Sequence, residues 1–174
     1  MVAKNRLKST AEREFHRRTA AKCFNSAWDY LDKKRKSRED DLMMLNLAHA
    51  SLYHWGMVGT PRNRAVGEWQ LSRVYAELGE PRLAIRYAKA CLSAFKKDGL
   101  EYLVPTAYEA LARAHAVAED VDVANKFLAR ARNELDRLTL DAEDRKIFLG
   151  QIADTRRLID RIGVGRRSVS RRYR

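Results

Sequence analysis

The amino-acid sequence predicts an all-α fold, on three observations. Glycine and proline are scarce, at 8 and 3 of 174 residues, whereas residues that favour helices are abundant. Apolar residues recur at helical spacing between short turn signals. Residues 42–61 contain no Lys, Arg, Asp or Glu. That stretch is long enough to span a bilayer, but its His, Asn, Gly and Pro residues indicate a buried helix enclosed by its neighbours.

The first three predicted helices cover residues 8–35, 38–57 and 61–78. The first is basic throughout, and the second is the uncharged, largely apolar segment. Thr60-Pro61 marks the start of the third helix, because threonine caps a helix N-terminus and proline suits the first helical position.

The next two predicted helices cover residues 81–97 and 102–118. Gly79-Glu80-Pro81 ends one helix and begins the next, since glycine favours the left-handed position after a helix and proline favours its first turn. Asp98-Gly99 ends the fourth helix by the same reasoning.

The last two predicted helices cover residues 121–138 and 142–161, with Asp120 and Asp141 as their N-caps. Residues 162–174 contain glycine, serine and arginine without an apolar period, so we expect a flexible Arg-rich tail. Residues 1–161 are predicted to form one domain, within which 1–38 is the basic first helix.

Self-comparison of the sequence reveals a repeat within residues 61–138. Residues 65–92 align with 105–132 at an offset of 40. The alignment pairs Leu71 with Leu111, Val74 with Ala114, Tyr75 with His115, Ala84 with Ala124, and Cys91 with Ala131. Small residues recur where two helices approach closely, and larger residues recur between them.

This pattern resembles the tetratricopeptide repeat, TPR, whose L-x-x-x-Y…G…A…A positions are occupied by Leu71, Tyr75, Gly79, Ala84 and Cys91. The second copy departs from the pattern, with His115 for the aromatic residue and Glu119 for the glycine. The resemblance implies a short right-handed superhelix of antiparallel helix pairs, with 142–161 as its capping helix. Such stacks have a concave groove lined by the first helix of each pair.

Three segments, AHASLYHW, GTPRNRAVGEWQLSRVYAELG and AYEALARAH, are also similar to a family of small bacterial TPR-like proteins. That family has no assigned activity, so the similarity implies a fold and no reaction.

Five residues occupy repeat positions that face the groove in the family pattern: Trp69, Arg73, Glu77, Glu109 and Arg113. Two guanidinium groups beside an indole form a candidate site for a carboxylate or phosphate of a peptide or small molecule. The alternative is ordinary pairing along each helix, Arg73 with Glu77 and Glu109 with Arg113.

A second candidate is a polar cluster of His49, His54, Arg64 and Glu68. A glutamate at a normally aromatic, inward-facing position needs a partner, and the preceding helix can supply a histidine. The cluster either fixes the packing of the helices or forms a ligand pocket. His49 and His54 point in different directions on their helix, so no two-histidine metal site is expected.

The net charge of +12 lies at the two ends of the chain: +8 in residues 1–38, −3 in 39–155 and +7 in 156–174. The candidate polyanion-binding residues are Lys33, Lys34, Arg35, Lys36, Arg38, Arg166, Arg167, Arg171, Arg172 and Arg174. They either contact nucleic-acid phosphates, meet an acidic protein or anionic membrane, or merely keep the protein soluble.

The sequence favours a non-catalytic helical-repeat scaffold whose groove holds a peptide or anionic group. The alternative is a protein that associates with nucleic acid or a ribonucleoprotein through its basic ends. No catalytic motif, metal-ligand spacing or cofactor motif occurs, so we expect no cofactor and no metal. Cys23 and Cys91 form no disulfide framework, which favours a reducing, cytoplasmic location. We expect a protein or peptide partner, no membrane span, and allow for a homo-oligomer.

Overall fold

The computed structural model of the chain describes the backbone of residues 9–172 and the side chains of residues 9–163. Within that range the protein is all-α without strands, so the predicted fold class is confirmed at this level. The helices are α1 (Thr10–Leu31), α2 (Arg38–Val58), α3 (Pro61–Glu77), α4 (Pro81–Lys97), α5 (Val104–Val117), α6 (Val121–Asp136) and α7 (Ala142–Arg172). A short 3-10 turn, Glu101–Leu103, precedes α5.

At the starts of α3, α6 and α7, a side chain accepts a hydrogen bond from an otherwise unpaired backbone N–H group. The Thr60 hydroxyl accepts from the backbone of Asn63, whose side chain accepts from Thr60 in return. Asp120 accepts from Val123 and Asp141 accepts from Asp144. These predicted N-caps are therefore confirmed.

The turns after α3, α4 and α5 each contain one residue in the left-handed backbone conformation. Gly79 has φ 73° and Gly99 has φ 70°, where a residue without Cβ is unstrained. Glu119, which the alignment pairs with Gly79, adopts φ 60°. The second copy therefore keeps the geometry of the turn after losing the glycine.

Two helix ends differ from the predictions. The first helix ends at Leu31, so that residues 32–37 form the loop between α1 and α2. The basic run 33–36 therefore lies in a loop. The last helix runs to Arg172, whereas the sequence predicted an end at 161 and a flexible tail. Glycine costs a helix interior only about 1 kcal/mol, so Gly163 and Gly165 do not have to end it.

Consecutive helices pack as three pairs, α1 with α2, α3 with α4 and α5 with α6. The first helices of neighbouring pairs also touch, α1 with α3 and α3 with α5, and α7 packs against α5 and α6. The core between them is rich in alanine, which allows close approach of the helices. Residues paired by the 40-residue offset are alike in burial: Leu71 and Leu111, Ala84 and Ala124, and Cys91 and Ala131 are all buried.

The second helix is not enclosed by its neighbours, contrary to the prediction. Its buried residues, Met44, Ala48 and Ser51, lie on one side. Leu42 and Tyr53 are exposed, because only α1 and α3 make extensive contacts with α2. Among residues 9–172, none of the helices combines the length and apolar character that crossing a bilayer requires.

Candidate functional site

A polar cleft of about 390 Å³ opens where α3, α5 and α7 meet the end of α1. Arg73 on α3 and Arg113 on α5 both line it. The structure therefore brings together the two arginines that the offset of 40 places at equivalent positions. The remaining lining residues are Leu31, Asp32, Ala76, Glu77, Val117, Asp154, Arg157, Leu158 and Arg161.

The two arginines share one buried carboxylate. Oε1 of Glu109 accepts a hydrogen bond from Nε of Arg113 at 3.1 Å and lies 4.0 Å from Nη1 of Arg73. The hydroxyl of Thr155 on α7 donates to the same oxygen. The Glu109 side chain is 2% exposed, so these contacts satisfy a charge that would otherwise be costly to bury.

Glu109 is the buried carboxylate that both guanidinium groups meet, and the charges of Asp154 and Asp32 in the cleft lining also act on Arg73. Nη1 of Arg73 and Nη2 of Arg113 are buried and have no hydrogen-bond acceptor among the described residues. Nη2 lies 3.0 Å from Oε1 of Glu109, but its N–H bonds do not point at that oxygen. Burial, and then the proximity of Arg113, lower the pKa of Arg73, although an arginine stays protonated in proteins. Both arginine side chains stay partly exposed where they line the cleft, 17% for Arg73 and 14% for Arg113, so the cleft can attract an anion through these exposed parts.

The rim of the cleft carries further charges that are mostly paired. Arg157 donates to Asp154 on its own helix. Nζ of Lys36 donates to Oε1 of Glu77 at 2.7 Å and to the backbone oxygen of Lys33 at 3.0 Å. These bonds hold the basic α1–α2 loop at the edge of the cleft.

Two aromatic rings, Trp28 on α1 and Trp69 on α3, pack together beside Arg73. The rings of Trp28 and Trp69 lie 5.6 Å apart, and the guanidinium carbon of Arg73 lies 5.4 Å from the Trp28 ring centroid. The sequence prediction did not include Trp28, because nothing local indicates that α1 packs beside α3. It also did not include Thr155 or the i, i+3, i+7 set Asp154, Arg157 and Arg161 on α7.

The structure brings together three of the five predicted groove residues. Arg73, Glu77 and Arg113 line the cleft, but Trp69 packs against Trp28 and the apolar core instead. Glu109 lies beneath the floor of the cleft, because α7 covers it and Thr155 bonds to it. Of the two ion pairs predicted as the alternative, Glu109 with Arg113 is present. The other is not, because Glu77 pairs with Lys36 instead.

The predicted cluster of His49, His54, Arg64 and Glu68 does not form. His49 shares a 2.8 Å hydrogen bond with the hydroxyl of Tyr75 on α3. His54 shares one of 2.8 Å with His16 on α1. His49 therefore faces α3 and His54 faces α1, and each has a hydrogen-bond partner other than Glu68. Burial lowers the pKa of both imidazoles, and the proximity of His16 adds to this effect at His54.

Glu68 and Arg64 instead line a second cavity of about 620 Å³ between α3 and α4. Burial raises the pKa of Glu68, and the charge of Arg64 opposes this shift. Small residues such as Ala65, Ala90 and Ala94 form much of the wall. The glutamate is therefore half-buried at a surface cavity, with Arg64 as its charged neighbour.

The predicted polyanion-binding residues fall into two groups. Lys33 pairs with Asp40 at 2.6 Å and Lys36 with Glu77, whereas Lys34, Arg35 and Arg38 are exposed without ion pairs among the described residues. The side chains of Arg166, Arg167, Arg171, Arg172 and Arg174 lie outside the described side chains.

Cysteine and metal chemistry contribute no site in the described part of the chain. Cys91 is buried, its thiol donates to the backbone oxygen of Ala88, and burial raises its pKa. No group of three or more His, Cys, Asp or Glu side chains is placed to hold a metal ion among residues 9–163.

No protein-family model, curated protein or solved structure matches this chain.

Proposed function

We propose that the protein is a non-catalytic, TPR-like helical scaffold whose cleft binds an anionic group of a peptide or small molecule at Arg73 and Arg113. The observation that carries the proposal is that both guanidinium groups line one polar cleft and share a single buried carboxylate. Both side chains keep partial exposure to the cleft, where an anion can accept from them, and hydrogen bonds to charged groups contribute about 1.5–3 kcal/mol each.

Three features support a TPR-like superhelix. The helices pack in consecutive pairs, the first helices of neighbouring pairs touch, and α7 covers the last pair. Ring stacking also repeats at the offset of 40: Tyr75 stacks on Tyr87, and His115 stacks on Phe127. The similarity to small bacterial TPR-like proteins belongs to the same proposal, as does a cytoplasmic location.

Isothermal titration calorimetry with inorganic phosphate and with succinate tests the cleft. The variants Arg73→Gln and Arg113→Gln should each weaken binding by about 10- to 100-fold, since each removes a charged donor. Arg132→Gln is the matched control, because Arg132 is exposed on α6 and pairs with Asp136 alone among the described side chains. Two results contradict the proposal: no binding by the wild type, or a control variant that binds as weakly as the Arg73 and Arg113 variants.

A second candidate function is sequence-independent binding of nucleic acid through the basic segments. It is favoured by the α1–α2 loop and the first residue of α2, where Lys34, Arg35 and Arg38 are exposed without ion pairs among the described residues. Phosphate contacts release counterions, so affinity would fall steeply with salt. We expect this slope to vanish in a variant that lacks 163–174 and the charges of 33–38. Absence of RNA and DNA binding by the wild type at low salt would exclude this function.

A further inference from the structure

The outward side of α2 is an apolar surface that the cleft does not use. On a helix of about 100° per residue, the side opposite the buried Met44, Ala48 and Ser51 includes six uncharged residues between positions 42 and 57. We call these six the outer strip: Leu42, Met43, Asn46, Ala50, Tyr53 and Met57. Leu42, Met43 and Tyr53 are 54%, 46% and 62% exposed, and the strip contains no charged side chain.

The two ends of the helical stack are treated differently by the fold. At one end, α7 packs on α5 and α6. At the other end, α1 and α2 pack on α3 and on each other, and no other described helix makes extensive contact with their outer side. Stacked helix pairs need a polar end to stay soluble. An uncharged strip at an uncovered end therefore indicates an interface.

We propose that the outer strip binds the outer strip of a second copy of this chain, with the two α2 helices antiparallel about a two-fold axis. A two-fold interface requires that a surface complement itself, and charges at the two ends of the strip meet this requirement. Glu39 lies on the outward side at the start of α2 and is exposed. Arg18 is exposed, and at about 100° per residue it lies opposite the buried His16 and Ala20, on the outward side of α1.

The antiparallel arrangement of α1 and α2 places these charges at opposite ends. His16 of α1 bonds to His54 of α2, and Ser51 bonds to the backbone of Ala20. Arg18 is therefore level with the C-terminal part of α2, while Glu39 is at its N-terminus. An antiparallel copy brings the Glu39 of each chain towards the Arg18 of the other, so the contact is attractive at both ends.

The size of the surface predicts a weak dimer. Residues 42–57 extend about 24 Å along the helix at 1.5 Å per residue, and two adjacent helices are about 20 Å wide. The resulting footprint of roughly 500 Å² is below the ~800 Å² per partner of a standard stable interface. We therefore expect dissociation in the micromolar range, which is measurable by sedimentation.

Sedimentation equilibrium of the full chain across micromolar concentrations tests the proposal. The mass should rise from 20.1 kDa towards twice that value, and Tyr53→Glu should keep the chain monomeric. Ile147→Glu is the matched control, because Ile147 is a comparably exposed apolar residue, 57%, on α7. This control should dimerise like the wild type. A monomeric wild type, or a Tyr53→Glu variant that dimerises normally, overturns the proposal.

Charge exchange distinguishes the two-fold arrangement from nonspecific association. Arg18→Glu should weaken the dimer at least several-fold, and adding Glu39→Arg to it should restore the affinity. Failure of the double variant to recover refutes the antiparallel pairing. If instead the chain stays monomeric and Tyr53→Glu abolishes binding to vesicles rich in phosphatidylserine, a lipid surface is the partner and the second copy is excluded.

Discussion

Replacing Glu109 by alanine removes the carboxylate that both cleft arginines share. Glu109 is 2% exposed, and the side chains of Arg73 and Arg113 are 17% and 14% exposed. Removal of one member of a buried ion pair costs about 3–5 kcal/mol, because the remaining charge is uncompensated. The cleft gives both guanidinium groups some access to solvent, so we expect the lower end of this range, about 3 kcal/mol.

Urea unfolding followed by far-UV circular dichroism measures this cost. In a thermal unfolding experiment on a chain of this length, a loss of about 3 kcal/mol corresponds to a fall in Tm of roughly 6–12 °C. Glu134→Ala is the control, since Glu134 pairs with the exposed Arg137 and such surface pairs contribute about 0–1 kcal/mol. A cost below about 1 kcal/mol for Glu109→Ala, equal to the control, would refute the shared carboxylate.

Glu109→Gln separates the charge from the hydrogen bond of Thr155. The amide oxygen still accepts from the Thr155 hydroxyl, while the negative charge beneath the cleft is lost. We expect this variant to bind phosphate more tightly than the wild type, because the arginines lose the buried counter-charge that they share, although Asp154 and Asp32 still act on Arg73. Unchanged or weaker binding in the calorimeter would mean that the arginine charges are not available to a ligand.

Further predictions concern the histidines and the turns. Burial lowers the pKa of His54 and of His49 below the ordinary value of about 6.5, so their contribution to stability is present above that pH and is lost as the pH falls through the lowered pKa. Urea unfolding between about pH 8 and pH 5 should show this loss of stability, and the loss should be smaller in His54→Phe. A variant with the same pH profile as the wild type contradicts the part-buried His16–His54 pair. Gly79→Ala should destabilise by about 1 kcal/mol, since φ is 73°. Glu119→Gly, at φ 60°, should stabilise by up to about 1 kcal/mol, and thermal unfolding that shows the opposite order would refute the equivalence of the two turns.

Local signals in the sequence predicted the helices well. Thr60, Asp120 and Asp141 cap the helices that follow them, and Gly79 adopts the left-handed conformation. These features depend on neighbours within four residues, so a sequence pattern can reveal them. The common side of Arg73 and Arg113 was also predictable, because equivalent positions on α3 and α5 point the same way when those helices pack together.

Partners that are distant in the chain could not be predicted. Glu109 is buried because it bonds to Thr155, 46 residues later, and local spacing placed it in the groove. The histidines of α2 were assigned to Glu68, but His49 bonds to Tyr75 and His54 to His16. Side-chain direction on a helix limits which side a residue faces, and tertiary packing then selects its partner.

The exposed side of α2 shows the same limit. An uncharged helix has no polar side to mark where solvent lies, so its pattern indicates burial all round. The structure covers only one side, and Tyr53 remains exposed. The error in the prediction and the proposed dimer interface therefore have one cause, an apolar surface that a single copy of the chain leaves uncovered.

A crystal structure of the wild-type protein with selenate tests the central claim most directly, because selenium locates the anion by its anomalous signal. We predict a selenate within hydrogen-bonding distance of both the Arg73 and Arg113 guanidinium groups, with Glu109 still bonded to Thr155 beneath it. A cleft without selenate, or the two guanidinium groups turned away from each other, would contradict the account.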